Sequence, residues 1–195
     1  MGRRVRLSAE VRRDQLVQAA SRLTLKQGYL PLSLERLASE AGVSKALIYG
    51  YFPDQHDLFN AVLAEQFSAL QAAGLETASQ ATELAVAALG CAGIYLRHVA
   101  RAGPIAHMIL RDLYMARRVR PELAAFRNRV ARRLARLVRA ELRLPPEEAV
   151  GAISLVTTIP EETGRLIWQG DLDLESGLAL GERLVRSSLA ALRPT

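Results

Sequence analysis

The chain has 195 residues, half of them apolar, and a net charge of +6. It is long enough to bury one large helical core, or a small head joined to a larger body, and the basic excess favours a polyanionic partner. Cys91 is its only cysteine, which excludes an intrachain disulfide; a small thiol in an apolar run reads as buried and suits a reducing cytosol.

The opening MGRRVRLSAEVRRDQL is basic but has no apolar core and no small-residue cleavage site, so no secretory signal is expected. The longest uncharged run, Leu84 to Leu96, is shorter than the roughly 20 residues that span a bilayer. A cytoplasmic protein with no membrane partner is expected.

Taken in order, almost every segment predicts helix. Ala, Leu, Arg and Glu dominate, and no stretch alternates apolar and polar residues over a strand's length. The first helix is predicted over Ala9 to Gln27, with Leu16, Ala20 and Leu23 on one face and Gly28 past its end. Ser33 caps a second, short helix carrying Leu34, Leu37, Ala38 and Ala41. Ser44 caps a third, with Leu47, Ile48 and Tyr51, which Pro53 terminates. Asp54 starts a longer fourth helix, with Asp57 in its first turn and Phe59, Leu63, Phe67 and Leu70 along one side.

Further helices are predicted over 81–101, 104–116, 121–143, 147–168 and 174–192, with breaks at Gly103-Pro104, Pro121, Pro145-Pro146 and Gly170-Asp171. Pro160 falls inside the 147–168 stretch and predicts a kink or a division into two helices. Charge is uneven: residues 1–56 carry nine basic and five acidic side chains, and residues 111–143 carry eleven basic and three acidic. Nearly all of the basic excess is arginine, since the only lysines are Lys26 and Lys45.

Residues 33–52 fit the local demands of a helix-turn-helix. Two short helices meeting at a wide angle need a small residue at their approach and a glycine in the turn. Ala38 supplies the first, Gly42 the second, Val43 is the buried residue after the turn, and Ile48 the inward residue of the later helix. Lys45, Ala46, Leu47, Tyr49 and Gly50 then face outward. A DNA major groove offers such residues partners: thymine methyls for Ala46 and Leu47, and phosphates for Lys45 and the tyrosine hydroxyls. Packing of Tyr49 and Tyr51 against the next helix is the competing reading.

These residues, with Ala41-Gly42-Val43-Ser44, Ile48-Tyr49, Tyr51-Phe52 and Asp57-Leu58-Phe59, make residues 12–63 resemble the DNA-binding head of the TetR/AcrR family of bacterial transcriptional regulators. The resemblance implies an all-α protein, with a helix-turn-helix domain over 1–53 and a helical ligand-binding and dimerisation domain over 54–195. It implies a recognition helix from Ser44 or Lys45 to Tyr51, with Ser33 on a phosphate and Gly50 leaving room for the DNA backbone. The DNA-contacting set is then Ser33, Ser44, Lys45, Ala46, Leu47, Tyr49, Gly50 and Tyr51. Two positions depart from the family pattern: Ala46 stands where many members have glycine, and Gln55 where members usually carry a lysine directed at the DNA backbone. The arm Arg3-Arg4-Val5-Arg6 is either a further DNA contact or a solvated tail.

The resemblance also implies a homodimer formed through the last two long helices, 147–168 and 174–192, so that two heads read the two halves of a palindromic operator. Helices of the body are expected to enclose a small lipophilic inducer, with Phe67, Tyr95, His98, Met108, Arg111, Tyr114 and Trp168 as candidate lining. His98 and His107 lack a metal-ligand spacing, and no cofactor or catalytic motif is present. Arg132, Arg136, Arg139 and Arg143 recur at helical spacing; this reads as a solvated amphipathic face, with an anionic ligand such as an acyl-CoA or a second DNA contact as alternatives. The expected function is a ligand-responsive transcriptional repressor and not an enzyme. A helical protein-interaction module and a small-molecule enzyme are the rivals.

Overall fold

The computed structural model describes residues 8–193, of which the Arg3 to Arg6 arm is not part. The described residues are 80% helical, and no strand occurs among them. The helices are α1 (Ala9–Gln27), α2 (Leu34–Ala41), α3 (Lys45–Tyr51), α4 (Gln55–Ala72), α5 (Leu75–Ala78), α6 (Leu84–Ala102), α7 (Ile105–Arg111), α8 (Pro121–Leu142), α9 (Pro146–Val156), α10 (Thr158–Gln169) and α11 (Leu174–Ala191).

They form two compact units. One runs to Glu65 and takes in Ile105–Arg120; the other holds Gln66–Pro104 and the chain from Pro121 onward. α4 therefore contributes to both, its first part to one unit and its last to the other.

In the first unit α1 begins where the Ser8 hydroxyl accepts a hydrogen bond from the Val11 amide at 3.2 Å. It ends at Gly28, whose φ of 85° lets its N–H return to the Thr24 carbonyl at 2.8 Å. The chain between these signals turns Leu16, Val17, Ala20 and Leu23 inward, where Leu37, Ile48, Leu58 and Phe59 complete a core with at most 4% of any of these side chains exposed. Full burial of such side chains is worth roughly 1.5–3 kcal/mol each, which is what holds helices as short as α2 and α3, since isolated helices of that length do not persist in water.

The second unit is built around α6. α10 and α11 both pack on it, and glycines set the spacing. A Cβ at Gly164 would lie 2.7 Å from Val99 Cβ and 2.9 Å from the Leu96 carbonyl oxygen; one at Gly181 would lie 2.9 Å from Leu96 Cδ1. Cys91 on α6 is buried, its Sγ 3.7 Å from the Leu75 carbonyl, and burial pushes its thiol pKa up to about 11, where it stays protonated and unreactive.

Two predicted segments differ in form, and one helix was not predicted. The 147–168 stretch is two helices, divided at Thr157 and not at Pro160. Pro160 occupies the third position of α10, where an amide has no intrahelical acceptor in any case, so the ring is accommodated at no loss. The 104–116 stretch is helical only to Arg111, because the Asp112 side chain caps the Tyr114 amide at 2.8 Å and starts a 3-10 turn over Leu113–Met115. α5 lies where no helix was predicted; its four residues are too few for a periodic pattern.

Candidate nucleic-acid interface

α2 and α3 are joined by a turn of three residues. Gly42 has φ 64° and ψ 37°, and its N–H reaches the carbonyls of Ala38 and Ser39, while Val43 N–H donates to Ala38 O at 2.9 Å. A Cβ at Gly42 would meet nothing within 4 Å, so the requirement for glycine is the left-handed backbone and not space. Val43 is half-buried rather than buried, the turn lying at the rim of the core.

α3 starts at Ser44, whose Oγ accepts from the Leu47 amide at 3.2 Å. Ile48 is driven into the core at 2% exposure and fixes the helix's rotation. That rotation leaves Lys45, Ala46, Leu47, Tyr49 and Gly50 exposed, Tyr49 by 53% and Leu47 by 37%. Tyr51 is half-buried beside Phe52, which is buried beneath the Arg13 guanidinium at 5.2 Å. A Cβ at Gly50 would meet nothing within 4 Å, so nothing inside the protein requires glycine there.

Two polar features were not legible in the sequence. Glu35, on the first turn of α2, accepts a hydrogen bond from Lys45 Nζ at 2.5 Å and from the Ser33 hydroxyl at 3.0 Å. The Lys45 hydrogen bond, helped by backbone amide and Ser33 contacts, holds the exposed Glu35 carboxyl down to about 2; in return Glu35 raises the Lys45 pKa. An acid thus sits among the cations of the exposed α2–α3 face. Ser33 is occupied too, since its Oγ accepts from the Arg36 amide at 3.3 Å. Gln55 spends its carboxamide internally: Leu32 N–H donates to its Oε1 and its Nε2 donates to Leu32 O, both at 2.9 Å.

Residues 105–120, which the sequence places in the body, pack within the first unit. Asp112 Oδ2 accepts from the Leu30 amide at 3.1 Å. Buried Asn60 on α4 donates to the Arg118 carbonyl and accepts from the Arg120 amide, each at 2.9 Å. Arg120 pairs with Asp57 at 2.6 Å, and the Tyr114 ring stacks on His56 at 4.3 Å.

The seven candidate ligand residues are divided between the units: Met108, Arg111 and Tyr114 in the first, Phe67, Tyr95, His98 and Trp168 in the second. Arg111 and Trp168 are exposed. Phe67 packs on Phe126 with ring centroids 5.6 Å apart. Tyr95 and His98 are one turn apart on α6; burial, then Glu161, raises the Tyr95 pKa, and burial, then Arg101, lowers that of His98. His98 Nε2 is buried and has no partner among the described residues. Also among the described residues, no group of three His, Cys, Asp or Glu side chains is placed to hold a metal, and no helix is long and apolar enough to cross a membrane.

A glycine-turned pair of short helices, the second anchored by one buried isoleucine and presenting an exposed basic and aromatic face, defines a helix-turn-helix protein of the DNA-binding class. Residues 16–62 match the family described as bacterial regulatory proteins, tetR family. The chain is 45% identical over 49 residues to the HTH-type transcriptional regulator HbdR of Aromatoleum sp. (strain CIB), a match spanning 25% of this chain and 21% of that one. It is 40% identical over 58 residues to the HTH-type transcriptional activator FasR of Mycolicibacterium smegmatis, spanning 30% of this chain and 26% of FasR. The matched stretches thus cover about a quarter or less of these curated relatives. The fold extends further: a TetR-like transcriptional regulator from Rhodococcus sp. RHA1 superposes with a TM-score of 0.71 over 95% of this chain and 99% of its own, at 20% identity.

Proposed function

We propose that this protein is a ligand-responsive transcriptional repressor that binds a palindromic operator as a homodimer. The observation that carries the reading is the rotation of α3: with Ile48 buried, Lys45, Ala46, Leu47 and Tyr49 are all presented outward from a convex, capped helix. Lys45 and Tyr49 supply donors to phosphates, Ala46 and Leu47 supply apolar contact to thymine methyls. Ser33, Ser44, Gly50 and Tyr51 flank that surface and complete the contact set.

One head reads only a few base pairs, so two are needed on one face of the duplex, about 34–36 Å apart. The exposed Trp168, Leu174 and Leu184 of α10 and α11 support the dimer reading, being apolar area that a second copy would cover. Ligand bound in the second unit acts by favouring one orientation of α4, the helix that belongs to both units, and so by changing the spacing of the heads. Phe67, Tyr95, His98 and Trp168 remain the proposed lining, while Met108, Arg111 and Tyr114 belong to the first unit and are set aside. The protein works in the cytoplasm, where its operator is, and catalyses no reaction.

The test is selection of bound fragments from genomic DNA, followed by titration of the selected duplex at several salt concentrations. A palindromic site bound by two chains, with log K falling linearly in log salt, supports the reading. Salt-insensitive or absent duplex binding removes it in favour of a protein-interaction module. Transcription from the selected site in vitro decides the sign: added protein lowers it if the protein represses.

A further inference from the structure

α8 carries arginine at 129, 132, 133, 136 and 139 on one side, and these five line a groove of about 420 Å³. No carboxylate lines it. Glu76 neutralises one end, pairing with Arg129 at 3.0 Å and with Arg133 at 3.7 Å. Arg132 donates only to the Asn128 carbonyl, and Arg136 and Arg139 make no hydrogen bond or ion pair among the described residues. Three guanidiniums at i, i+4 and i+7 therefore stand on one stripe, along about 10 Å of helix at 1.5 Å per residue, without a counter-charge. Like charges at this spacing destabilise a helix, so the arrangement is costly in the free protein and is relieved by an anion.

The opposite wall is apolar. α9 packs on α8, and its Pro146 and the 58%-exposed Val150 close the groove. A solvated basic face needs neither a concavity nor an apolar wall. The volume is in the range of pockets for small ligands, roughly 300–1,000 Å³. Guanidinium forks match phosphate oxygens two at a time, and a chain of linked phosphates supplies several charges along the stripe where a single phosphate meets one arginine or two.

We infer that the α8–α9 groove is a binding site for a small, multiply phosphorylated metabolite with an apolar or aromatic part, its phosphates on Arg132, Arg136 and Arg139 and its apolar part against Val150 and Pro146. The site lies wholly within the second unit and does not depend on the DNA-binding reading.

Isothermal titration of the full chain with ATP, sodium tripolyphosphate, orthophosphate and citrate tests the site, with the R136Q/R139Q double variant and an R183Q/R186Q control on α11. These arginines are exposed, so the variants keep the fold; circular dichroism verifies it. The expected result is saturable binding of ATP and tripolyphosphate, at least tenfold weaker binding of orthophosphate and citrate, and a loss of about tenfold per arginine in the double variant but not in the control. Failure of both polyphosphates to saturate, or equal binding by the double variant, overturns the proposal. So does a duplex whose affinity falls in R136Q/R139Q while ATP does not bind, which would assign the groove to nucleic acid.

Discussion

Lys45 at the start of α3 is held by Glu35 on α2 at 2.5 Å. The cation that would meet a phosphate is engaged within the protein, and DNA binding must exchange one acid for another. Replacing Glu35 by Gln frees Lys45 and removes a negative charge from the α2–α3 surface proposed to meet DNA. Affinity for duplex should rise about three- to tenfold, largely independent of sequence, with the salt slope little changed because Lys45 meets the same phosphate in both proteins. An unchanged affinity in E35Q would mean that Lys45 does not reach a phosphate.

The same pair sets a pH expectation. The Glu35 pKa is lowered in the folded head, from an ordinary 4.5 to about 2. Such a shift stabilises the folded state above the unfolded pKa, and the contribution is lost as pH falls through the folded value. Glu35 is therefore ionised throughout pH 5–8 and contributes no pH dependence to operator binding there; any dependence that E35Q abolishes in that range would contradict its ion pair with Lys45.

Ile48 and Tyr49 are adjacent and predict opposite phenotypes. Ile48→Ala removes a side chain 2% exposed and should cost roughly 2–5 kcal/mol, read as a loss of thermal stability. Tyr49→Ala removes one 53% exposed, should change stability by no more than about 0.5 kcal/mol, and should weaken operator binding about tenfold or more. Unaltered operator affinity in Y49A would place the DNA contact elsewhere.

Gly42 separates conformation from space. Because a Cβ there meets nothing, Gly42→Val suffers only from the φ of 64°, at a cost of roughly 1–3 kcal/mol. Gly42→Asn, which tolerates the left-handed region, should retain most of the stability and of the DNA binding. Equal damage from the two substitutions in thermal melts would show that something other than backbone conformation selects glycine.

Asn60 ties residues 118–120 to α4 through both ends of its carboxamide. Asn60→Leu leaves the Arg118 carbonyl and the Arg120 amide without that partner, at about 1–3 kcal/mol. Hydrogen exchange at the Arg120 amide should accelerate, while amides of α6 in the other unit keep their protection.

Local signals were enough for most of the head. Ser8 and Gly28 bound α1, Ser33 and Gly42 bound α2, and Ser44 starts α3, because caps and left-handed turns act within a few residues of chain. The outward set on α3 was readable for the same reason: one inward residue, Ile48, fixes the helix's rotation.

What tertiary structure alone decided involves groups distant in sequence. Nothing within a few residues of Glu35 announces Lys45, since ten residues and a turn of particular angle separate them. Nor does local pattern show that Gln55 closes on Leu32, that 105–120 packs with the head, or that Gly164 and Gly181 bring α10 and α11 onto α6. Periodicity states which face of a helix is buried; only the packed chain determines against what, and at what distance.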